Sequence, residues 1–95
     1  MSIQSFGDKT TEKFFNTGKT GKAGWSNVKD VAIRKLDMVQ YAAQLSDLKS
    51  PPGNKLEELK GNLAGYHSIR INDQWRIIFK WTDAGPTEVE ITDYH

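Results

Sequence analysis

The sequence predicts an α+β fold: two N-terminal helices packed on one face of a small, mainly antiparallel twisted sheet. Three observations predict it. Apolar residues follow a helical period only in the first half of the chain, alternating segments fill the second half, and short turns separate those segments. Helices followed by hairpin-linked strands place the helices together on one face of an antiparallel sheet. The length of 95 residues predicts a single domain, 1–95, with one modest core.

"IQSF" (3–6) reads as a short first strand. In "DKTTEKFF", Asp8 or Thr10 offers a helix cap, Phe14 and Phe15 supply apolar bulk, and the helix ends near Gly18. Gly18, Gly21 and Gly24, with Lys19 and Lys22 among small polar residues, mark a loop. Its "GKT" looks like a nucleotide-binding loop, but the position five residues before Gly18 must then be glycine and is Lys13, so that reading is rejected. From a cap at Ser26, the series Val28, Val31, Ala32, Leu36, Val39, Ala42 and Ala43 sets a second, longer helix through about Ala43. "LSDLKSPPGNK" is expected to be an exposed connection, stopped by Pro51-Pro52-Gly53. "YHSIRI", "QWRIIFKW" and "TEVEIT" then read as strands, with turns at "NDQ" and "TDAGP".

Composition narrows the chemistry. The chain has no cysteine, which excludes disulfides, thiolate metal ligands and a cysteine nucleophile. No apolar run reaches membrane-spanning length and no signal-peptide core is present, so the expected location is the cytoplasm, with no membrane partner. The net charge of +1 conceals a polarity: residues 1–81 hold all 13 Lys and Arg against 8 acidic residues, and residues 82–95 hold 4 acidic residues and no base. Clustered basic charge permits an anionic partner without requiring one.

Alternation places Ile69 and Ile71 on one face of their strand, and Trp75, Ile77, Phe79 and Trp81 on one face of the next. Matching these two core sets requires a three-residue loop, Asn72-Asp73-Gln74, and sets Arg70 directly opposite Arg76. Like charges so placed cost up to about 1 kcal/mol. A phosphate between the two guanidinium groups would reverse the cost, with Ser68 and Lys80 projecting from the same face to widen the site. The plainer reading is a solvated basic face whose Arg stems cover apolar surface; Ile78 on that face makes it not uniformly polar.

The closing "DYH" places an acid, a phenol and an imidazole after the strand that buries Val89 and Ile91. Cleaving RNA without a metal needs a base for the 2′-OH proton, cations for the charge on phosphorus, and an acid for the leaving 5′-oxygen. Asp93, Tyr94 and His95, together with the arginines, supply each part. His67 shares the face of Ile69 and reads as a core or core-edge residue, and two histidines without ligand spacing imply no metal and no cofactor. Trp75 and Trp81 read as core, and Trp25 as a staple at the helix start.

Taken together, "FFNTGK", "RKLDMV", "LEELKG", "GYHSIRINDQWRIIF" and the terminal "DYH" resemble the HigB toxins of bacterial toxin–antitoxin modules, a branch of the RelE superfamily. "SPPGNKLEELKG" is most similar to the GraT branch. The resemblance covers nearly the whole chain. It implies a RelE-like fold and a ribosome-dependent endoribonuclease, an mRNA interferase that cuts mRNA in the decoding site and halts translation. Implied partners are mRNA on the ribosome, with 16S rRNA contacts, and a HigA-like helix-turn-helix antitoxin through which alone the operator DNA is bound. Carried over residue by residue, Lys60 and Arg76 would stabilise the phosphate, Arg70 would help to bind it, and Asp93, Tyr94 and His95 would handle protons, with the identity of the base left open. One departure stands out: Glu57 occupies a position that is histidine in many members, which attenuates activity or leaves the chemistry to the other residues.

Two competing readings remain at this point. A non-catalytic RNA- or ribosome-binding module would inhibit translation by occupancy. A DNA-binding regulator acting alone fits poorly, because no helix carries a dense recognition surface.

Overall fold

The computed structural model describes residues 2–93. Helix α1 (Lys9–Thr17) and helix α2 (Lys29–Tyr41) precede strands β1 (Glu57–Glu58), β2 (His67–Arg70), β3 (Arg76–Thr82) and β4 (Gly85–Thr92). The strands form one antiparallel sheet in the order β1-β2-β3-β4.

Of the two caps proposed for α1, the chain uses Asp8, whose carboxylate accepts the Thr11 N–H at 3.1 Å, an arrangement worth about 1 kcal/mol. Gly18 ends the helix with φ 77°, and its N–H reaches the Phe14 carbonyl at 2.7 Å. A left-handed residue there favours glycine because it lacks a Cβ. Phe14 is buried edge-on against Trp25, with ring centroids 4.7 Å apart, so Trp25 packs into the core against α1. Phe15 is half-buried instead, tilted against Phe6.

Helix α2 buries Ala32, Leu36 and Val39 against the sheet residues Ile69, Ile71, Ile77, Phe79, Val89 and Ile91. Trp75 and Trp81 pack at the margin of this core. The helix begins later than expected: Ser26–Val28 is a 3-10 turn, and Ser26 makes no side-chain cap. It also stops at Tyr41, before Ala43.

Two further expectations are corrected. The segment 3–6 makes only an isolated parallel bridge, Phe6 to Val89, though backbone bonds from Gln4, Gly7 and Val89 lay it along the outer edge of β4. Thr11 extends that cover, its hydroxyl oxygen accepting the Ile91 N–H at 3.1 Å. The 45–55 stretch is not simply an exposed connection. It forms 3-10 turns at Leu45–Lys49 and Pro52–Asn54 that bury Leu48 and Asn54. Asn54 is fully buried, and its amide donates to the Leu48 and Ser50 carbonyls, both at 3.2 Å. The side chain thereby satisfies backbone groups that a chain without regular structure would leave unpaired.

Candidate functional site

The β2–β3 hairpin has the register that alternation requires. Ile69 faces Ile77, Arg70 faces Arg76, and Ile71 bonds to Trp75 across a three-residue loop. The loop holds its shape through Asn72, whose side-chain oxygen accepts the Gln74 N–H at 2.9 Å and the Trp75 N–H at 2.7 Å. That oxygen substitutes for a strand partner, as Asn side chains do in turns.

Each arginine is engaged by this same loop. Arg70 forms an ion pair with Asp73, and Arg76 donates to the Asn72 carbonyl and to the Trp75 carbonyl, the latter at 3.3 Å. Asp73 therefore relieves the repulsion that opposed guanidinium groups create. The expected fork around a phosphate is present as a placement of charges, each already holding an internal acceptor. Gln74 completes the set, its amide donating to the Asp93 carboxylate at 3.0 Å. Asp93 follows Thr92, the partner of Arg76, so Arg70, Arg76 and Asp93 gather at one end of the sheet.

Lys60 and Lys80 lie at the other end. Leu59 pairs with Tyr66 through a 2.9 Å backbone bond, and Lys60 follows it directly. Lys80 bonds to Glu88 at 3.2 Å and stands 5.0 Å over the Tyr66 ring. From Tyr66 to Arg70 is four strand residues, roughly 13 Å at about 3.3 Å per residue. The cations thus form two stations along one face rather than a single cluster.

Between the stations the face is not solvated. Ser68 is 1% exposed and Ile78 5% exposed, which corrects the expectation that Ser68 widens a phosphate site: a hydroxyl so buried cannot meet an external anion. Glu57 pairs with Ser68 and Glu90 with Ile78, so carboxylates flank this apolar band on both sides. Glu57 consequently shares the arginine face, while burial, and then the nearby Asp8, pushes the half-buried Glu90 carboxyl above its usual range.

His67 sits where the core-edge reading puts it, stacked on Phe79 at 6.3 Å. Its Nδ1 is buried without a hydrogen-bond partner. It also lines a cleft of about 390 Å³ with Leu45, Leu56, Glu57 and Glu58, which includes none of Lys60, Arg70, Arg76, Lys80 or Asp93. The cations therefore lie outside this cleft, at the two ends of a face whose middle is covered. Among the described residues, no group of three or more His, Asp or Glu side chains converges on a possible metal site. Tyr94 and His95 lie outside the described residues.

One cation escaped the sequence reading. Lys35 on α2 donates to the buried Asn54, and its ammonium is pushed below the usual lysine range by burial, then by Arg34 and Arg70. The adjacent Arg34-Lys35 on the polar side of the α2 period was the available signal.

The family model for the RelE-like toxin HigB of type II toxin–antitoxin systems matches residues 4–95. This chain belongs to the HigB family. Toxin HigB-1 of Vibrio cholerae serotype O1 is 44% identical over 78 residues, 82% of each chain. Endoribonuclease HigB of Proteus vulgaris is 30% identical over 93 residues, 98% of this chain and 99% of that one. The fold is that of RelE- and YoeB-type toxins. The YoeB-YefM complex from Staphylococcus aureus contains a chain superposing with TM-score 0.58 at 21% identity, over 100% of the HigB chain and 97% of its own. The YoeB/ParE toxin from Agrobacterium tumefaciens superposes with TM-score 0.57 at 21% identity, over the full length of both chains. No helix among the described residues of this HigB chain is long and apolar enough to cross a membrane.

Proposed function

We propose that this HigB toxin is a ribosome-dependent endoribonuclease that cuts mRNA in the decoding site without a metal. The observation that carries the proposal is the convergence of Arg70, Arg76 and Asp93 at one end of the sheet. The relative named as an endoribonuclease supports it.

In this reading a proton-accepting group among Asp93, Tyr94 and His95 takes the 2′-OH proton, and the 2′-oxygen forms a bond to phosphorus. Arg76 stabilises the added negative charge, and Arg70 holds the phosphate after exchanging Asp73 for it. The bond to the 5′-oxygen then breaks, and an acid of the same terminal set returns a proton to it. With the lysine station roughly 13 Å from the arginine station, Lys60 and Lys80 contact a different part of the RNA backbone or join when the strand is bound. The partner that silences the toxin is an antitoxin of the HigA-like helix-turn-helix class, and operator DNA is reached only through that complex. The structural neighbour solved with YefM is consistent with an antitoxin partner. The setting is the cytoplasm, where translating ribosomes are.

A second reading, inhibition by occupancy, draws on Glu57. Its carboxylate on the arginine face adds negative charge beside a phosphate path. Mapping mRNA 5′ ends on translating ribosomes, for wild type and for a chain truncated after Thr92, separates the two. New in-frame cuts from wild type alone, with ribosome binding equal in both, support cleavage. Equal binding with no cuts from either sinks it in favour of occupancy.

A further inference from the structure

The loop Asn72-Asp73-Gln74 contacts three residues of the proposed site, one through each of its positions. Two of these contacts involve cations that long side chains could hold in several ways. The third is different in kind. Asp93 lies one residue beyond the last residue of β4, is exposed, and projects from backbone outside the sheet ladder. A proton acceptor misplaced by 1 Å can lose about 10²-fold in rate.

We propose that Gln74 is a positioning residue for the cleavage reaction, holding the Asp93 carboxylate at the Arg76 end of the site. The proposal rests on the reading of this chain as a ribonuclease in which Asp93 handles a proton. Gln74 is suited to the task because its own backbone is fixed: its N–H is held by Asn72, and the flanking Ile71 and Asn72 N–H groups both bond to the Trp75 carbonyl. The Gln74 amide at 3.0 Å donates to one carboxylate oxygen, Oδ2, and orients the group through it. No folding requirement selects glutamine here, since the side chain is exposed and the turn is made by Asn72.

The test is single-turnover cleavage on programmed ribosomes across pH, for wild type, Gln74→Ala, Gln74→Glu and Asp93→Asn, with thermal unfolding confirming that each variant folds. Gln74→Ala is expected to cut about tenfold more slowly at saturating toxin with its ribosome affinity unchanged, as for loss of orientation alone. Gln74→Glu is expected to cut more slowly still, with the acidic limb of its profile moved to higher pH, because a second carboxylate favours protonation of the first. Superimposable profiles for wild type and both Gln74 variants, with Asp93→Asn inactive, would overturn the role of Gln74 and leave the ribonuclease reading intact. Wild-type rates from Asp93→Asn would remove Asp93 from the mechanism and overturn the role of Gln74 with it, whereas no cutting by wild type itself would overturn the ribonuclease reading. Titration of the Asp93 carboxyl carbon by NMR in the free protein gives an independent readout: the same midpoint in wild type and Gln74→Glu overturns the proposal whatever the ribosome assay shows.

Discussion

The hairpin of residues 67–82 and the connection of residues 44–66 carry comparable functional weight by opposite structural means. The hairpin presents Arg70 and Arg76 from a periodic ladder in which faces alternate and each residue has a fixed partner. The connection presents Glu57 and Lys60 from three short 3-10 turns and a two-residue strand, and depends on one buried amide, Asn54. Periodic structure distributes its specification over many residues. Irregular structure concentrates it in a few polar side chains that satisfy the backbone.

The largest effect expected on the hairpin side is functional. Arg76→Ala should lower single-turnover cleavage by about 10²–10³, the size of one transition-state donor. Its fold should survive, because the ladder does not depend on that guanidinium; an unchanged rate would remove Arg76 from the mechanism.

The largest effect expected on the other side is structural. Asn54→Ala leaves the Leu48 and Ser50 carbonyls without their donor and removes the acceptor of Lys35, and should cost about 2 kcal/mol measured by urea unfolding. Hydrogen exchange should rise first in residues 45–60 and last in β2 and β3. Uniform loss of protection across both regions would show that they unfold together and break the contrast.

A smaller effect follows from the ion pair that links Arg70 to the loop. Asp73→Asn should tighten binding to ribosomes or to a short RNA about two- to fivefold, since an exposed pair is worth at most about 1 kcal/mol. The gain should fade with added salt. No change in affinity would mean that Arg70 does not exchange Asp73 for phosphate.

The smallest expected effect concerns Lys35, which joins the two regions by donating to Asn54 while lying within the field of Arg70. Its titration is lowered in the folded protein, so the unfolded chain binds the proton more tightly and the charged lysine detracts from stability at neutral pH. Lys35→Gln keeps a donor for Asn54 and should raise Tm by about 1–2 °C at pH 7. The gain should vanish as pH approaches the ordinary lysine value of 10.5, where wild type also becomes neutral. A gain that persists at that pH would assign the effect to packing instead of charge.

What was legible in the sequence divides along the same line. The helices, the hairpin register and the opposition of Arg70 to Arg76 followed from period and alternation, which are local rules. The burial of Asn54 was not legible, because "SPPGN" reads as a surface turn until Leu48 and Ser50 present their carbonyls to it. The burial of Ser68 was missed for a related reason: alternation assigns a face, and says nothing about how far that face is covered. The contacts of Asp73 and Gln74 depend on the loop conformation, which alternation fixes in length alone. The parallel lay of residues 4–7 along β4 joins segments more than 80 residues apart, beyond the reach of any local pattern.

That last feature bears on how the toxin is made. Ser5 hydrogen-bonds to Thr87 and Glu88, and Thr11 to Ile91, so residues 5–11 wait for partners that are synthesised much later in the chain. Until then Phe6 and the edge facing β4 lack their partners, and the arginines of the hairpin lack the neighbouring strand. A chain interrupted before β4 is therefore an unfinished fold, and the arginine face gains its neighbouring strand only once β4 has been made.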